Sequence, residues 1–383
     1  MKKFLSAALA GLMSVSLVAC GSKPADEPAT TGEPSGDSSD MKVAMITDFG
    51  DITDQSFNQT TYESSKAFCE ENGLEFTYKK PATDADADRI SSMQDAIDEG
   101  YNVIVMPGFA FATAITELAP ENPDVKFVSI DVSQEDLDKA SGEKGFSSPN
   151  HYSAVYQEEI AGYMAGYAAV KLGYTKLGFL GGMAQPAVQR YGYGFIQGAD
   201  EAAVEGDVKD VEINYVYGGD FKGNPDITAR MDTWYSAGTE AVFACGGGIY
   251  TSAAEAAAKV DGKIIGVDVD QAPIIDKAYG EGMTITSAMK GLGETVKMIL
   301  SEIQDGNWEK YGGKIENLGL VSEDPKENYV QLADSTQWDD NFTEDDYKAL
   351  VAKIYNGEVK VSSDTTKMPE TKVVKVDDQG TMK

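Results

Sequence analysis

Between residues 41 and 268, short apolar runs alternate with longer segments whose apolar residues recur at helical spacing. The runs read KVAMITD, NVIVMPG, VKFVSID, TKLGFLGG, VEINYVYGG, EAVFACGGG and KIIGVDVD. Strands that are apolar on both faces and alternate with helices are typical of parallel sheets covered by helices on both sides. The sequence therefore predicts an α/β fold.

The alternating region divides into two sets of strand–helix units, at 41–150 and 151–268. A later strand and helix at 282–304 are expected to return to the first set, and the tail from Glu344 to supply a closing helix and strand. Helical spacing is clearest at 57–72, 88–99, 112–119, 155–171, 193–205, 228–237, 251–260 and 291–304. We therefore expect two α/β domains.

Chemically distinctive residues stand at the ends of the predicted strands. In open parallel sheets, ligands bind outside the carboxyl ends of the strands, so these residues are candidates for a site. They are Asp48, Phe109, Asp131, the Gly246–Gly248 tripeptide, Asp268, Asp270 and Lys290. Carboxylates accept strong hydrogen bonds from hydroxyl groups, and aromatic faces can hold a planar ring. The set predicts a small neutral ligand that carries a ring and vicinal hydroxyls.

The acidic stretch after the first strand allows two interpretations. Asp48, Asp51 and Asp54 recur at three-residue spacing, and oxygen ligands of this kind suit Ca²⁺. A single Asp after a strand is also a common turn residue or helix N-cap. We favour Asp48 as a site residue, Asp51 and Asp54 as loop acids with Asp54 capping the next helix, and no metal site. Phe57 and Asn58 would then point back to the cleft from the first helical turn.

The first forty residues predict an export signal and a tether. Residues 1–19 combine two lysines with a short apolar run, which indicates a signal peptide rather than a membrane span. Leu17-Val18-Ala19-Cys20 resembles a bacterial lipobox, so we expect lipidation at Cys20; an ordinary signal peptide with an incidental Cys is the alternative. Residues 21–40 are rich in Pro, Gly, Ser, Thr and acids and are expected to form a flexible tether.

Composition excludes several classes of function. The formal net charge of −31 disfavours binding to nucleic acid or to anionic lipid head groups. Besides Cys20 there are two cysteines, Cys69 and Cys245, far apart in sequence, which we expect to be buried free thiols. His151 is the single histidine, so histidine-based catalysis is disfavoured and no cofactor is indicated.

Several segments together resemble the BMP (basic membrane protein) or PnrA-like family. They are ITDFGDITDQSFNQ, YQEEIAGYMAGYAA, LGFLGGMAQPAVQRYGYGFIQGA, VFACGGGIY, IIGVDVDQ and ITSAMK. Members are lipoprotein substrate-binding components of ABC transporters, commonly for nucleosides. The resemblance implies a type I periplasmic-binding-protein fold, with two Rossmann-like lobes joined by three crossovers and ligand in the cleft. We expect the lobes at 41–150 plus about 270–318 and at 151–269 plus about 319–383.

The resemblance also implies roles for individual residues. Asp48, Asn58 and the Phe57 ring would engage the base, and Phe221 would stack on its other face. Asp131 would face the cleft, while Gly247, Asp268 and Lys290 would hold the ribose. Phe109 is added from its strand-end position alone. The implied partners are a nucleoside, with a purine favoured, an ABC permease and the outer face of the cell membrane through the lipid anchor; a monomer and no enzymatic activity are expected.

Two other functions remain open from the sequence. The same fold could bind a sugar, an autoinducer-like molecule or another small metabolite in transport or sensing, because fold alone does not select the ligand. A calcium-dependent nucleoside hydrolase would use the acids near Asp48 to hold the metal and activate water. That enzyme is disfavoured because the sequence offers no His to serve as leaving-group acid and the acids lack the adjacent pairs that such a site would need.

Overall fold

The computed structural model describes residues 40–48 and 50–382. The predicted signal peptide, Cys20 and the tether up to residue 39 lie outside the described residues. Across the described ranges, none of the helices has the length and apolar character that a membrane crossing requires.

Thirteen strands and eleven α-helices make up the described part of the chain. The strands are β1 (Lys42–Ile46), β2 (Glu75–Lys79), β3 (Val103–Pro107), β4 (Lys126–Ile130), β5 (His151–Tyr156), β6 (Lys176–Gly181), β7 (Glu212–Tyr217), β8 (Ala241–Cys245), β9 (Lys263–Asp268), β10 (Thr284–Lys290), β11 (Ile315–Leu318), β12 (Val330–Leu332) and β13 (Lys375–Thr381). The helices are α1 (Phe57–Asn72), α2 (Asp86–Asp98), α3 (Ala112–Glu121), α4 (Gln134–Ser141), α5 (Glu158–Lys171), α6 (Pro186–Glu205), α7 (Pro225–Ser236), α8 (Tyr250–Ala257), α9 (Ala272–Tyr279), α10 (Leu292–Gln304) and α11 (Glu344–Tyr355), with short 3₁₀ turns at Phe109–Phe111, Trp308–Lys310 and Pro325–Glu327.

The strands form two sheets, which confirms the α/β prediction. The first sheet has the order β11-β5-β4-β3-β1-β2 and the second β12-β10-β9-β8-β6-β7-β13. Every pairing is parallel except that of β10 with β12. The central strands β3 and β8 are buried along their whole length, as strands covered on both faces must be. Each sheet with its helices is called a lobe below.

The chain passes between the lobes three times, at positions that differ from those we expected. Residues 151–156 form β5, which pairs with β4 in the first sheet, so the second lobe begins after this strand. Residues 284–290 form β10, which pairs with β9 in the second sheet and does not return to the first. Helix α10 then packs on α1, and β11 joins the first sheet. The predicted boundaries are wrong at these two strands because pairing across a sheet decides membership, and local pattern does not encode it.

Local signals account for the helices better than for sheet membership. Helix α1 has the predicted bounds, whereas α5 begins at Glu158 because 155–156 still belong to β5. The short helices α4 and α9 were not predicted. Cys69 and Cys245 are buried free thiols, as expected, and burial raises the pKa of both.

Candidate functional site

A cavity of about 440 Å³ lies between the lobes, where strands of both sheets end. This volume falls in the range of roughly 300–1,000 Å³ that is usual for small-molecule sites. All nine residues that we predicted as ligand contacts line it: Asp48, Phe57, Asn58, Phe109, Asp131, Phe221, Gly247, Asp268 and Lys290. The sequence prediction therefore selected residues that the fold brings to one place.

Lys290, at the end of β10, places a buried ammonium group on the cavity wall. Its Nζ forms an ion pair with Asp131 of the first lobe and lies 3.7 Å from Asp268 Oδ1 and 3.6 Å from Glu158 Oε1. Burial acts to lower the pKa of this lysine, but the three carboxylates outweigh burial and raise it. The cation also lies 4.7 Å from the centroid of the Phe57 ring, a cation–π distance. Lys290 is therefore a fixed positive charge.

Asp131 and Asp268 have the left-handed backbone conformation, with φ of 61° and 66°. This conformation is uncommon for residues other than glycine, and where it persists it often marks a ligand site. Asp131 Oδ1 has no hydrogen-bond partner within residues 40–48 and 50–382. Burial raises the pKa of Asp131 to about 6, although Lys290 opposes this. Asp131 thus offers an acceptor oxygen on the wall of the cavity.

Asp268 joins the two lobes. Its Oδ2 accepts a hydrogen bond of 2.7 Å from the buried hydroxyl of Ser56, and its Oδ1 one of 3.4 Å from the Tyr191 hydroxyl. Nearby, Gln271 Nε2 donates to the carbonyl oxygen of Gln55 at 3.1 Å. The lobes therefore meet directly beside the cavity. Hydrogen bonds from both lobes, from Ser56 and from Tyr191, hold the Asp268 carboxylate in place.

Two acids of the loop before α1, Asp51 and Asp54, bind groups of the loop, of the helix and of Lys80. Asp54 accepts hydrogen bonds from the backbone N–H groups of Ser56, Asn58 and Gln59 at 2.9–3.0 Å, which satisfies the amides at the start of the helix. Burial raises the pKa of Asp54 although these amides lower it. Asp51 is bound by Thr53 and, at 2.8 Å, by Lys80 Nζ. Both acids contact the loop and the helix as predicted, although the N-cap residue of α1 is Ser56 and Asp54 lies two positions before it. Both also line the cavity.

The Asp48 and Asn58 side chains line the cavity and pack against the backbone of two glycines, Gly108 and Gly50. A Cβ atom on Gly108 would lie 2.1 Å from Asp48 Oδ2, and one on Gly50 would lie 1.8 Å from Asn58 Nδ2. Glycine at these positions lets both side chains lie against the main chain. Asn58 Oδ1 is buried and has no hydrogen-bond partner among the described residues. Asn58 therefore presents a second acceptor beside the cavity.

The Gly246–Gly248 tripeptide allows a close approach by an aromatic ring. A Cβ atom on Gly246 would lie 2.9 Å from Phe221 Cδ1, and one on Gly182 would lie 2.4 Å from the same atom. Phe221 thus packs against backbone of the second lobe and lines the cavity there. The tripeptide is therefore a site of close approach between backbone and an aromatic ring.

The prediction missed residues that reach the cavity from helices. Arg190 and Tyr191 of α6 line it, and Glu158 at the start of α5 supports Lys290. The predicted residues come from strand ends, from the first turn of α1 and from the loop at Phe221, and none comes from α5 or α6. The available signal was an adjacent pair of acids, Glu158 and Glu159, opening a helix that is otherwise buried from Ala161 to Val170.

His151 lies elsewhere. It belongs to β5, its Nε2 is 2.9 Å from Ser129 Oγ, and burial lowers the pKa of the imidazole to about 3. The histidine is therefore a neutral core residue at neutral pH and does not line the cavity.

Comparison with known proteins identifies the family that the sequence segments resemble. The sequence profile of the Bmp family, described as ABC transporter substrate-binding protein PnrA-like, matches residues 41–365. The ABC transporter nucleoside-binding protein BmpA of Lactococcus lactis is 28% identical over 336 residues, which cover 83% of this chain and 89% of the relative.

Solved structures share the fold. A solute-binding protein of an ABC transporter system from Aeropyrum pernix K1 superposes with a TM-score of 0.64 at 20% identity, covering 84% of this chain and 87% of that one. A periplasmic solute-binding protein of Actinobacillus succinogenes with bound D-allose gives 0.57 at 12% identity, covering 81% and 99%. The architecture is the type I periplasmic-binding-protein fold. This chain is a member of the Bmp family of PnrA-like ABC transporter substrate-binding proteins.

Proposed function

We propose that the chain is a lipid-anchored, extracytoplasmic binding protein that captures a nucleoside, with a purine favoured, and delivers it to an ABC permease. The observation that carries this proposal is the buried Lys290 cation held between Asp131 and Asp268 on the wall of the interlobe cavity, with the Phe57 ring beside it. Carboxylates suit vicinal hydroxyls, and a ring suits a planar base. The name of the Lactococcus relative points to the same class of ligand.

Each half of a nucleoside would have its own set of contacts. Asp131, Asp268 and Lys290 would bind the ribose hydroxyls, with Gly247 giving backbone access. The base would lie between Phe57 and Phe221, with Asp48 and Asn58 at its edge; these two can accept hydrogen bonds from ring N–H or amino groups. Phe109 would close the apolar wall. Binding would bring the lobes together around the ligand.

Isothermal titration of the full-length chain in detergent tests the ligand. Adenosine, guanosine, inosine, uridine and a set of monosaccharides form the panel. Tight binding of a purine nucleoside supports the proposal, and no binding to any nucleoside would sink it. Release of free base during the incubation would instead favour a hydrolase.

A sugar is the second candidate ligand. Acidic and aromatic walls also recognise sugars, and the D-allose-bound Actinobacillus protein shares the fold, which alone does not choose the ligand. Monosaccharide binding without nucleoside binding in the same panel would select this alternative.

The membrane anchor is proposed from Cys20. The substitution Cys20→Ser should move the exported protein from the membrane fraction into the soluble fraction, because the lipid chain on Cys20 would attach the protein to the membrane. Membrane retention of the Cys20→Ser protein would contradict the anchor.

Residues of the loop before α1 and of its first turn should differ in their contribution to nucleoside affinity. Phe57→Ala should weaken nucleoside binding roughly tenfold to 100-fold, the range for loss of a base-stacking ring. Asp48→Ala should cause a comparable loss. Asp51→Ala should change affinity by about twofold or less, because Asp51 is bound to Thr53 and Lys80. Titration of the three variants checks this order, and equal losses would contradict it.

Nucleoside affinity should fall as the pH drops below about 6, because burial raises the pKa of Asp131 to about 6 from its ordinary 3.8. Protonation removes an acceptor and the partner of Lys290, so binding should weaken by up to about tenfold per pH unit. The folded chain binds this proton more tightly than the unfolded chain, so the same acidification stabilises the ligand-free fold through Asp131. Titrations from pH 5 to pH 8 measure the effect; Asp131→Asn should flatten the profile near pH 6, and an unchanged profile would contradict the assignment.

A further inference from the structure

A chain of alternating charges extends from the cavity into the second lobe. Lys290 contacts Glu158 Oε1 at 3.6 Å, and Glu158 Oε2 accepts a 2.6 Å hydrogen bond from Arg190 Nε. Glu158 is completely buried, whereas the Arg190 side chain is 19% exposed and lines the cavity. Glu158 therefore holds two cations at once, one on each side.

The charges around the cavity do not balance. Asp131, Asp268 and Glu158 surround Lys290, and Glu158 and Glu159 both contact Arg190. Four more carboxylates line the cavity, at Asp48, Asp51, Asp54 and Asp136, so the acids outnumber the cations Lys290, Arg190 and Lys222 when all of these groups are ionised. Because the interaction between two charges is stronger in protein surroundings than in bulk water, a unit charge on the wall acts strongly on a charged ligand. This excess should not disturb a neutral ligand, but it should repel a phosphate.

We propose that Glu158 and Arg190 set the ligand charge that the cavity accepts, with Glu158 as a positioning residue that keeps both cations occupied so that neither binds a phosphate. The inference rests on the proposed nucleoside function and adds to it a basis for rejecting nucleoside 5′-monophosphates. Neither residue lies at a strand end, and neither is among the nine predicted ligand contacts.

The test compares two ligands on the full-length chain in detergent. The probes are the nucleoside of the panel that binds most tightly and its 5′-monophosphate. Glu158→Gln removes one negative charge and the carboxylate that is hydrogen-bonded to Arg190, so the ratio of monophosphate to nucleoside affinity should rise about tenfold or more. Arg190→Gln adds to the excess and should lower that ratio by a similar factor. The double variant Glu158→Gln/Arg190→Gln restores the original balance and should return the ratio toward its starting value.

Glu159→Gln is the matched control. Glu159 also lies in the first turn of α5 and is buried, and its carboxylate is 3.9 Å from Arg190, but in the described part of the chain it forms no ion pair with Lys290. Burial raises the pKa of Glu159 to about 7, so its carboxyl is partly protonated at neutral pH, and Glu159→Gln should shift the ratio less than Glu158→Gln does. A purely structural role for Glu158 would weaken both ligands equally and leave the ratio unchanged.

The outcomes separate this inference from the proposed function. Suppose that the chain binds a nucleoside but Glu158→Gln leaves the ratio of monophosphate to nucleoside affinity unchanged, or Glu159→Gln changes this ratio equally. Either result leaves the proposed function standing and overturns the inference. If Glu158→Gln fails to fold, an unchanged ratio in Arg190→Gln overturns it as well. A chain that binds no nucleoside overturns both.

Discussion

The substitution Asp268→Asn should weaken nucleoside binding by about 100-fold or more. It removes a charged acceptor for a ribose hydroxyl and takes one of three carboxylates away from the buried Lys290 cation. Hydrogen bonds to charged groups contribute roughly 1.5–3 kcal/mol, and a factor of 100 corresponds to about 2.7 kcal/mol. The amide has nearly the same shape, so Ser56 can still donate to it. Isothermal titration with the preferred nucleoside measures the loss.

Asp270→Asn is the control for this substitution. Asp270 follows the same strand but accepts hydrogen bonds from the Ala272 N–H at 3.1 Å and from Ser335 Oγ at 2.6 Å, and it does not line the cavity. Its affinity should remain within about threefold of the original. If Asp268→Asn binds as tightly as Asp270→Asn, Asp268 does not receive a ligand hydroxyl.

The contrast between these two aspartates shows what sequence reasoning could resolve. Strand ends are visible as apolar runs followed by polar residues, and ligand sites of parallel sheets lie at those ends. That rule alone brought Asp131 and Lys290 into the same set although 159 positions separate them. It could not separate Asp268 from Asp270, because the direction of each side chain depends on backbone geometry. The φ of 66° at Asp268 supplies that geometry.

The hydrophobic pattern of the sequence could not predict which of the two sheets a strand belongs to. The run that forms β10 looks the same whether its neighbour is β9 or a strand of the other lobe, and pairing with β9 is a contact between distant segments. The same holds for β5 and β4. The sequence pattern predicted β10 as a strand but not β5, whose last two residues it assigned to a helix, and only the assembled sheets determine the lobe to which each strand belongs.

The helix residues of the site depend on an unusually close contact between α5 and α6. A Cβ atom on Gly162 or Gly166 of α5 would lie 2.1 Å from a carbonyl oxygen of α6. In the opposite direction, a Cβ atom on Gly194 would lie 2.0 Å from Glu159 O, and one on Gly198 would lie 1.9 Å from Tyr163 O. Backbone therefore touches backbone in both directions. This packing places the start of α5 against α6, where Glu158 meets Arg190 and reaches Lys290.

Gly198→Ala should therefore destabilise the protein, although alanine is about 1 kcal/mol better than glycine in a free helix. The new methyl group would meet the Tyr163 carbonyl, and neither backbone can move without shifting a whole helix. Overpacking of this kind costs about 3 kcal/mol, so we expect a net loss of about 2 kcal/mol in the free energy of unfolding. Gly293→Ala in α10 is the control, because its nearest neighbour is the Ser64 hydroxyl, which can rotate away. Urea unfolding measures both variants. A Gly198→Ala protein as stable as Gly293→Ala would show that α5 and α6 are not locked by backbone contact, and the position of Glu158 beside Lys290 would then need another cause.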